Sequence, residues 1–195
     1  MATRWWSSDR ESTMTFSNPA GAAAAAGATA YTQALLDVLG SGDPLQVLGE
    51  LVPWLAGRTS GLDQAILRRE EAPGKWSVIQ VIQHLADSDL VFGFRLRMIL
   101  TEDRPQLQGY DQDAWAGTFR YSEVALDTAL AQLRGLRAAN FHVLSEASAA
   151  QLERIGLHSE RGPESAGYLI RLMGGHDLVH RRQIDRILAA VKASG

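Results

Sequence analysis

Residues 77–103 read SVIQVIQHLADSDLVFGFRLRMILTED. Val78, Val81, Ile82, Leu85, Val91, Phe92, Met98 and Ile99 recur with a period near 3.6, and Ser77 stands where a helix cap belongs. One long amphipathic helix is predicted, and stepping along its apolar stripe by threes and fours lands on His84 as well as on Ser88 and Arg95. A second stretch, GGHDLVHRRQI at 174–184, behaves the same way. There the steps run Leu169, Leu172, His176, His180, then Gln183 or Ile184, and Ile187. Two helices thus carry imidazoles where a core residue is expected.

The rest of the chain supports an all-helical reading. Tyr31–Leu39 is a short helix closed by Gly40. Asp43 caps a helix with Pro44 at its first position and Leu45, Leu48, Leu51, Val52 and Leu55 as its stripe, which Pro53 should kink or interrupt. Leu62–Arg69 adds a turn or two. Ser122 opens a helix through Val124, Leu126, Leu130, Leu133, Leu136 and Leu144, ending near Ala147. Pro163 or Ser165 opens the last helix, which runs to about Ala193. No segment alternates as a strand does, so the expected architecture is a four-helix bundle with unequal connections. The longest of these, 103–119, is a polar and aromatic loop of the kind that often serves function.

Composition narrows the chemistry. With 195 residues, 46% of them hydrophobic and 21% charged, the chain can bury roughly 70% of its unfolded surface without staples. It has no cysteine, so any metal must be held by His, Asp, Glu or water, and any thiol must come from outside. A net charge of −3 gives no reason to expect nucleic acid or an anionic membrane as partner. Residues 1–28, rich in Ala, Ser, Gly and Thr, read as a tail, with Met14 as a second candidate start, and residues 29–195 as one helical domain. Asp9, Arg10 and Glu11 interrupt any signal-peptide core, and no run reaches the length of a membrane span. The expected location is the cytoplasm.

His84, His176 and His180 are the candidate ligands. Two histidines four apart share a helix face, and a third from a facing helix completes a set of the kind that binds zinc with an open position. Separate core histidines, each hydrogen-bonded to a carbonyl or carboxylate, would give the same pattern. The stretch is not the HExxH protease motif, because Asp177 follows the first histidine. Asp87 and Asp177 are candidates to orient a ligand ring, with a solvated or helix-pairing acid as the alternative for Asp87. Arg95 is read as a partner for a buried acid or an anionic thiol, His158 as a loop residue bonded to backbone with lining of the site as the alternative, and His142 as a surface residue. Tyr110, Asp111, Asp113 and Trp115 are placed in a lid. Arg181, Arg182 and Arg186 suit a helix end and a solvated face.

These residues carry a resemblance. GKWSVIQVIQHLADSD (74–89), RLRMILTEDRPQLQGYDQDAWA (95–116), GLHSERGPES (156–165) and GGHDLVHRRQI (174–184) resemble the DinB-like (YfiT-like) superfamily of metal-binding four-helix bundles. The resemblance implies a metal triad of His84, His176 and His180, holding zinc or nickel first, with iron, manganese or copper as alternatives. It implies a thiol S-transferase acting on a small electrophile with a bacillithiol- or mycothiol-type cosubstrate. The alternatives are a metal-dependent hydrolase and a non-catalytic metal-binding stress-response bundle. Catalytic residues beyond the metal set are unassigned. The expected partners are a small-molecule substrate and a second copy of the chain, as a homodimer.

Overall fold

The computed structural model describes residues 22–193. Its helices are α1 (Ala22–Leu39), α2 (Pro44–Thr59), α3 (Gln64–Arg68), α4 (Val78–Thr101), α5 (Gln112–Thr118), α6 (Leu126–Glu146), α7 (Ala149–Leu152) and α8 (Ala166–Ala193). Three short strands, β1 (Gln106–Leu107), β2 (Ile155–His158) and β3 (Gly162–Ser165), form a small sheet. The fold is a four-helix bundle of α2, α4, α6 and α8, in which each helix packs against two of the others, while α1 lies along α8.

The caps explain where these helices start. Asp43 accepts the Leu45 N–H at 2.9 Å ahead of Pro44. The Ser77 N–H donates to Gln80 Oε1 at 2.9 Å, the backward half of a capping box. Ser165 Oγ accepts the Tyr168 N–H at 3.1 Å in the first turn of α8.

Shared clusters fix the directions. The N-terminal halves of α4 and α6 pack with the C-terminal halves of α2 and α8 around Leu51, Leu55, Ile79, Ile82, Leu133, Ile184 and Ile187. Toward the other end, Leu96, Ile99 and Leu100 of α4 meet Leu107 and Leu169. So α4 runs antiparallel to α8 but parallel to its neighbour α6. Parallel neighbours need a connection that returns the chain along the whole bundle. That is why the segment between α4 and α6 is long.

One buried guanidinium joins all four bundle helices. Arg137 of α6 donates to Asp89 of α4 (Nε to Oδ2, 2.8 Å), to Asp177 of α8 (Nη1 to Oδ2, 2.7 Å) and to the Leu48 carbonyl of α2 (2.7 Å). Asn140 completes the layer by donating to Asp89 Oδ1 at 3.0 Å. Burial disfavours the charged guanidinium, but Asp177 and Asp89 outweigh it and hold Arg137 ionised.

Several details differ from the sequence reading. The first helix begins at Ala22 instead of Tyr31, because alanine is the strongest helix former even without an apolar stripe. It therefore overlaps the span 1–28 read as a tail, of which residues 1–21 lie outside the described residues. α2 runs through Pro53, whose exposed position leaves the unbonded carbonyl one turn back within reach of water. A 3-10 turn at Tyr121–Glu123 precedes α6, which starts at Leu126 instead of Ser122. The sheet was not expected. Its strands are too short to alternate, and Gly156, Gly162 and Pro163 read as breaks. β1 pairs parallel to β2 and β2 antiparallel to β3, which folds His158 and Glu164 inward.

Close approach of α1 and α8 depends on Gly175. A Cβ there would lie 2.2 Å from the Leu35 carbonyl oxygen, a contact no side chain can make without backbone movement. Gly175→Ala is therefore expected to cost about 1–3 kcal/mol through forced displacement of α1. At about 2–4 °C per kcal/mol for a chain of this size, a thermal melt reads the loss directly, and an unchanged midpoint would contradict the packing. Among the described residues no helix is long and apolar enough to cross a membrane.

Candidate metal centre

Antiparallel packing of α4 on α8 sets His84 opposite His176 and His180. His84 Nε2 lies 3.1 Å from His176 Nε2, and His180 Nε2 lies 3.1 Å from the same atom. One donor nitrogen from each ring falls within 4.8 Å of the others, and all three residues are buried. The spacing i, i+4 on α8 and the facing stripe of α4 produce this convergence, as the sequence pattern predicts.

The donor set fits a cation better than it fits itself. Gln183 Oε1 lies 2.7 Å from His180 Nδ1, so the ring proton sits on Nδ1 and Nε2 presents a lone pair inward. His176 Nε2 faces two nitrogens, and a single imidazole proton can satisfy one of them. Buried His84 Nδ1 has no partner at all. Whichever nitrogens carry the protons, polar atoms stay unmatched. Ligand bonds of about 2.0–2.1 Å at tetrahedral angles separate donor nitrogens by about 3.3–3.4 Å, close to the two spacings observed.

Electrostatics agree. Burial, followed by the neighbouring imidazoles, pushes His84 and His176 well below the ordinary histidine value, and burial pulls His180 to about 4. All three are neutral near pH 7, the form that binds metal. The same shift makes stability depend on pH. An unfolded histidine takes up a proton near pH 6.5, whereas the buried ring resists until about 4. Chelator-treated protein should therefore lose stability as pH falls from 6.5 toward 4, by roughly 1.4 kcal/mol per pH unit for each histidine kept neutral. Urea unfolding at pH 7, 6 and 5 measures this, and a profile no flatter in His180→Leu would contradict it.

The expected orienting acids do other work. Asp87 accepts from the Tyr121 hydroxyl and from Gln132 Nε2 at 2.8 Å, tying α4 to the connection and to α6. Asp177 is taken by Arg137. Gln183, one turn past His180, orients that ring instead, and its place on the i, i+3 step was the available signal. Ser88, also on the stripe, lies 3.4 Å from His84 Nε2 and 3.1 Å from the Tyr110 hydroxyl. Trp76 packs on His84 with ring centroids 5.0 Å apart.

Beside His176 a cavity of about 80 Å³ opens, walled by Phe92 and Leu172 and by the polar groups of Ser88, Tyr110, Arg95 and His158. Tyr110 thus belongs to the site as the lid reading expects. Asp111 instead caps α5 through the Asp113 and Ala114 N–H groups, and Trp115 packs between Tyr110 and Phe119. Asp113 lines a separate surface hollow. His142 is exposed. His158 is buried on β2, not in a loop, though its Nδ1 does accept the Glu160 N–H at 3.2 Å. Arg186 pairs with Glu71 at 2.7 Å, and Arg181 with Glu50 at 3.4 Å.

Residues 55–184 match the family model described as the DinB superfamily. The chain belongs to the DinB superfamily. A protein from Oceanobacillus iheyensis, named "Putative metal-dependent hydrolase", is 34% identical over 114 residues, covering 58% of this chain and 66% of that one. A protein of the same description from Halalkalibacterium halodurans is 30% identical over 134 residues, covering 69% and 78%. Among solved structures, YfiT from Bacillus subtilis, titled a probable metal-dependent hydrolase with an unusual four-helix bundle topology, superposes with a TM-score of 0.66 at 25% identity. That match covers 73% of this chain and 84% of YfiT. DinB membership and the three-histidine donor set together point to a divalent metal.

Proposed function

We propose that this DinB protein is a metal-dependent hydrolase of a small molecule, with His84, His176 and His180 as ligands to one divalent ion, zinc or nickel first. The observation that carries the reading is the convergence of three neutral Nε2 atoms next to a cavity. A divalent cation held by them supplies Lewis acidity, which lowers the pKa of a water or polarises a carbonyl. The relatives' descriptions as metal-dependent hydrolases favour the first use.

The chain's own groups have distinct tasks. Gln183 fixes the tautomer of His180. The Tyr110 hydroxyl, held by Ser88, stands in the cavity wall where it can donate to a substrate oxygen. Burial raises its pKa, so it remains a donor through neutral pH. Phe92 and Leu172 keep water from the cavity's apolar side.

Thiol activation uses the same open position, and the lack of cysteine means the thiol would be borrowed. The deciding experiment assays purified protein on small esters and amides, with and without chelator, then on an electrophile with added low-molecular-weight thiols. Hydrolysis that is lost with chelator and indifferent to thiol is the expected result. Turnover seen only with added thiol would replace the hydrolase by a transferase.

A further inference from the structure

Two buried guanidinium groups in this protein are treated differently. Arg137 meets two carboxylates. Arg95, on α4 three turns beyond His84, is 5% exposed and lines the cavity beside His176. Its hydrogen-bond partner is the Gln108 carbonyl, and no ion pair among the described residues includes it. Burial lowers Arg95 to about 10, outweighing Glu164 and Glu160, which act on it only through space, so an anion bonded directly to the guanidinium would stabilise it.

A second donor in the same wall is unmatched. His158 is 4% exposed, and its Nδ1 accepts the Glu160 N–H, so its ring proton sits on Nε2. That Nε2 has no acceptor. Burial, with Arg161 and Arg95 nearby, keeps the ring neutral by lowering it to about 3. Arg161, also on the wall, is already occupied by both oxygens of Glu164. Beside the Tyr110 hydroxyl and the half-buried Gln112 amide, the buried nitrogen donors left over in this wall are Arg95 and His158.

We propose that this cavity is the carboxylate-binding half of the substrate site, where Arg95 and the His158 Nε2–H hold the carboxylate of a small organic acid whose other end faces the three histidines. This rests on the reading of His84, His176 and His180 as the reacting centre. The volume supports a small acid: at about 10–15 Å³ per water-sized probe, 80 Å³ admits a group of roughly half a dozen heavy atoms. The donor geometry supports a carboxylate, because a planar guanidinium fork matches the two coplanar oxygens of that group. Glu160 lines the same cavity and acts on Arg95 through space without a direct ion pair, so directed donors and not net charge must select the anion.

The test compares propionate with propionamide, an isosteric neutral probe, by calorimetric titration of the full-length protein with its metal content measured alongside. Propionate should bind at least about tenfold more tightly, the value of a charge-assisted hydrogen bond over a neutral one. The preference should fall below about twofold in Arg95→Gln and weaken in His158→Phe. It should persist in His176→Ala, where the metal is lost. Equal affinities for the two probes in the wild type would overturn the proposal, and that comparison needs no substituted protein to fold. A preference kept in Arg95→Gln but lost in His176→Ala would also overturn it, by placing the carboxylate on the metal. Protein that holds no metal yet prefers propionate would support the subsite while sinking the hydrolase reading.

Discussion

Arg137→Ala is expected to destabilise the protein by about 3–5 kcal/mol, a large part of the ~5–15 kcal/mol that holds a typical domain folded. The cause is not the loss of an attractive pair. Two carboxylates, Asp89 and Asp177, would remain buried beside each other without their cation, and the Leu48 carbonyl would lose its donor. Every helix of the bundle contributes at least one group to this layer, so the damage is not confined to α6. Urea unfolding measures the effect. Removing the charges together, as Arg137→Met with Asp89→Leu and Asp177→Leu, should recover most of the lost stability, because an apolar replacement leaves no unpaired ion. A cost below about 1 kcal/mol for Arg137→Ala would mean that the ion pairs are solvated and the layer is not a buried one.

The second large effect concerns the metal. His176 Nε2 is the atom that both other histidines approach, at 3.1 Å each, so His176→Ala removes the middle of the donor set. Binding energies of about 10–16 kcal/mol for four-ligand zinc sites suggest roughly 3 kcal/mol per ligand, or at least a hundredfold in affinity. Competition with a chromophoric chelator reads this directly. The fold should survive, since alanine in a helix relieves a buried polar ring. Gln183→Leu, which removes only the partner of His180 Nδ1, should weaken the metal by a smaller factor of about 10–100. An unchanged affinity in His176→Ala would move the site elsewhere.

How far the sequence reached follows from what local pattern encodes. Period 3.6 over Val78–Ile99 and Leu169–Ile187 places His84, His176 and His180 on inward faces, and the structure brings those three rings together. Caps at Asp43 and Ser77 are equally local and equally visible. Asp87 and Asp177 serve Gln132 and Arg137 and not a ligand ring, the helix-pairing alternative for Asp87, and a partner on a different helix leaves no local signal. Arg137 itself reads as an ordinary helical arginine until α6 is known to lie beside α4. The sheet escaped for a similar reason: β1 and β2 are paired across about fifty residues, and four-residue strands carry too few positions to show alternation. Arg161 joins the cavity only through that sheet, and the same sheet decides for His158 between a loop residue and one that lines the site. The long 103–119 connection was legible as unusual, but its first cause is architectural, since it spans the bundle between two parallel helices.

The central claim is that one divalent ion sits among His84, His176 and His180. Elemental analysis of the purified full-length protein, with the His84→Ala/His176→Ala/His180→Ala variant beside it, tests this most directly. The account predicts close to one divalent metal per chain in the wild type and none above background in a folded triple variant. Stoichiometric metal in the triple variant, or none in wild-type protein after growth and purification with zinc and nickel supplied, would contradict it.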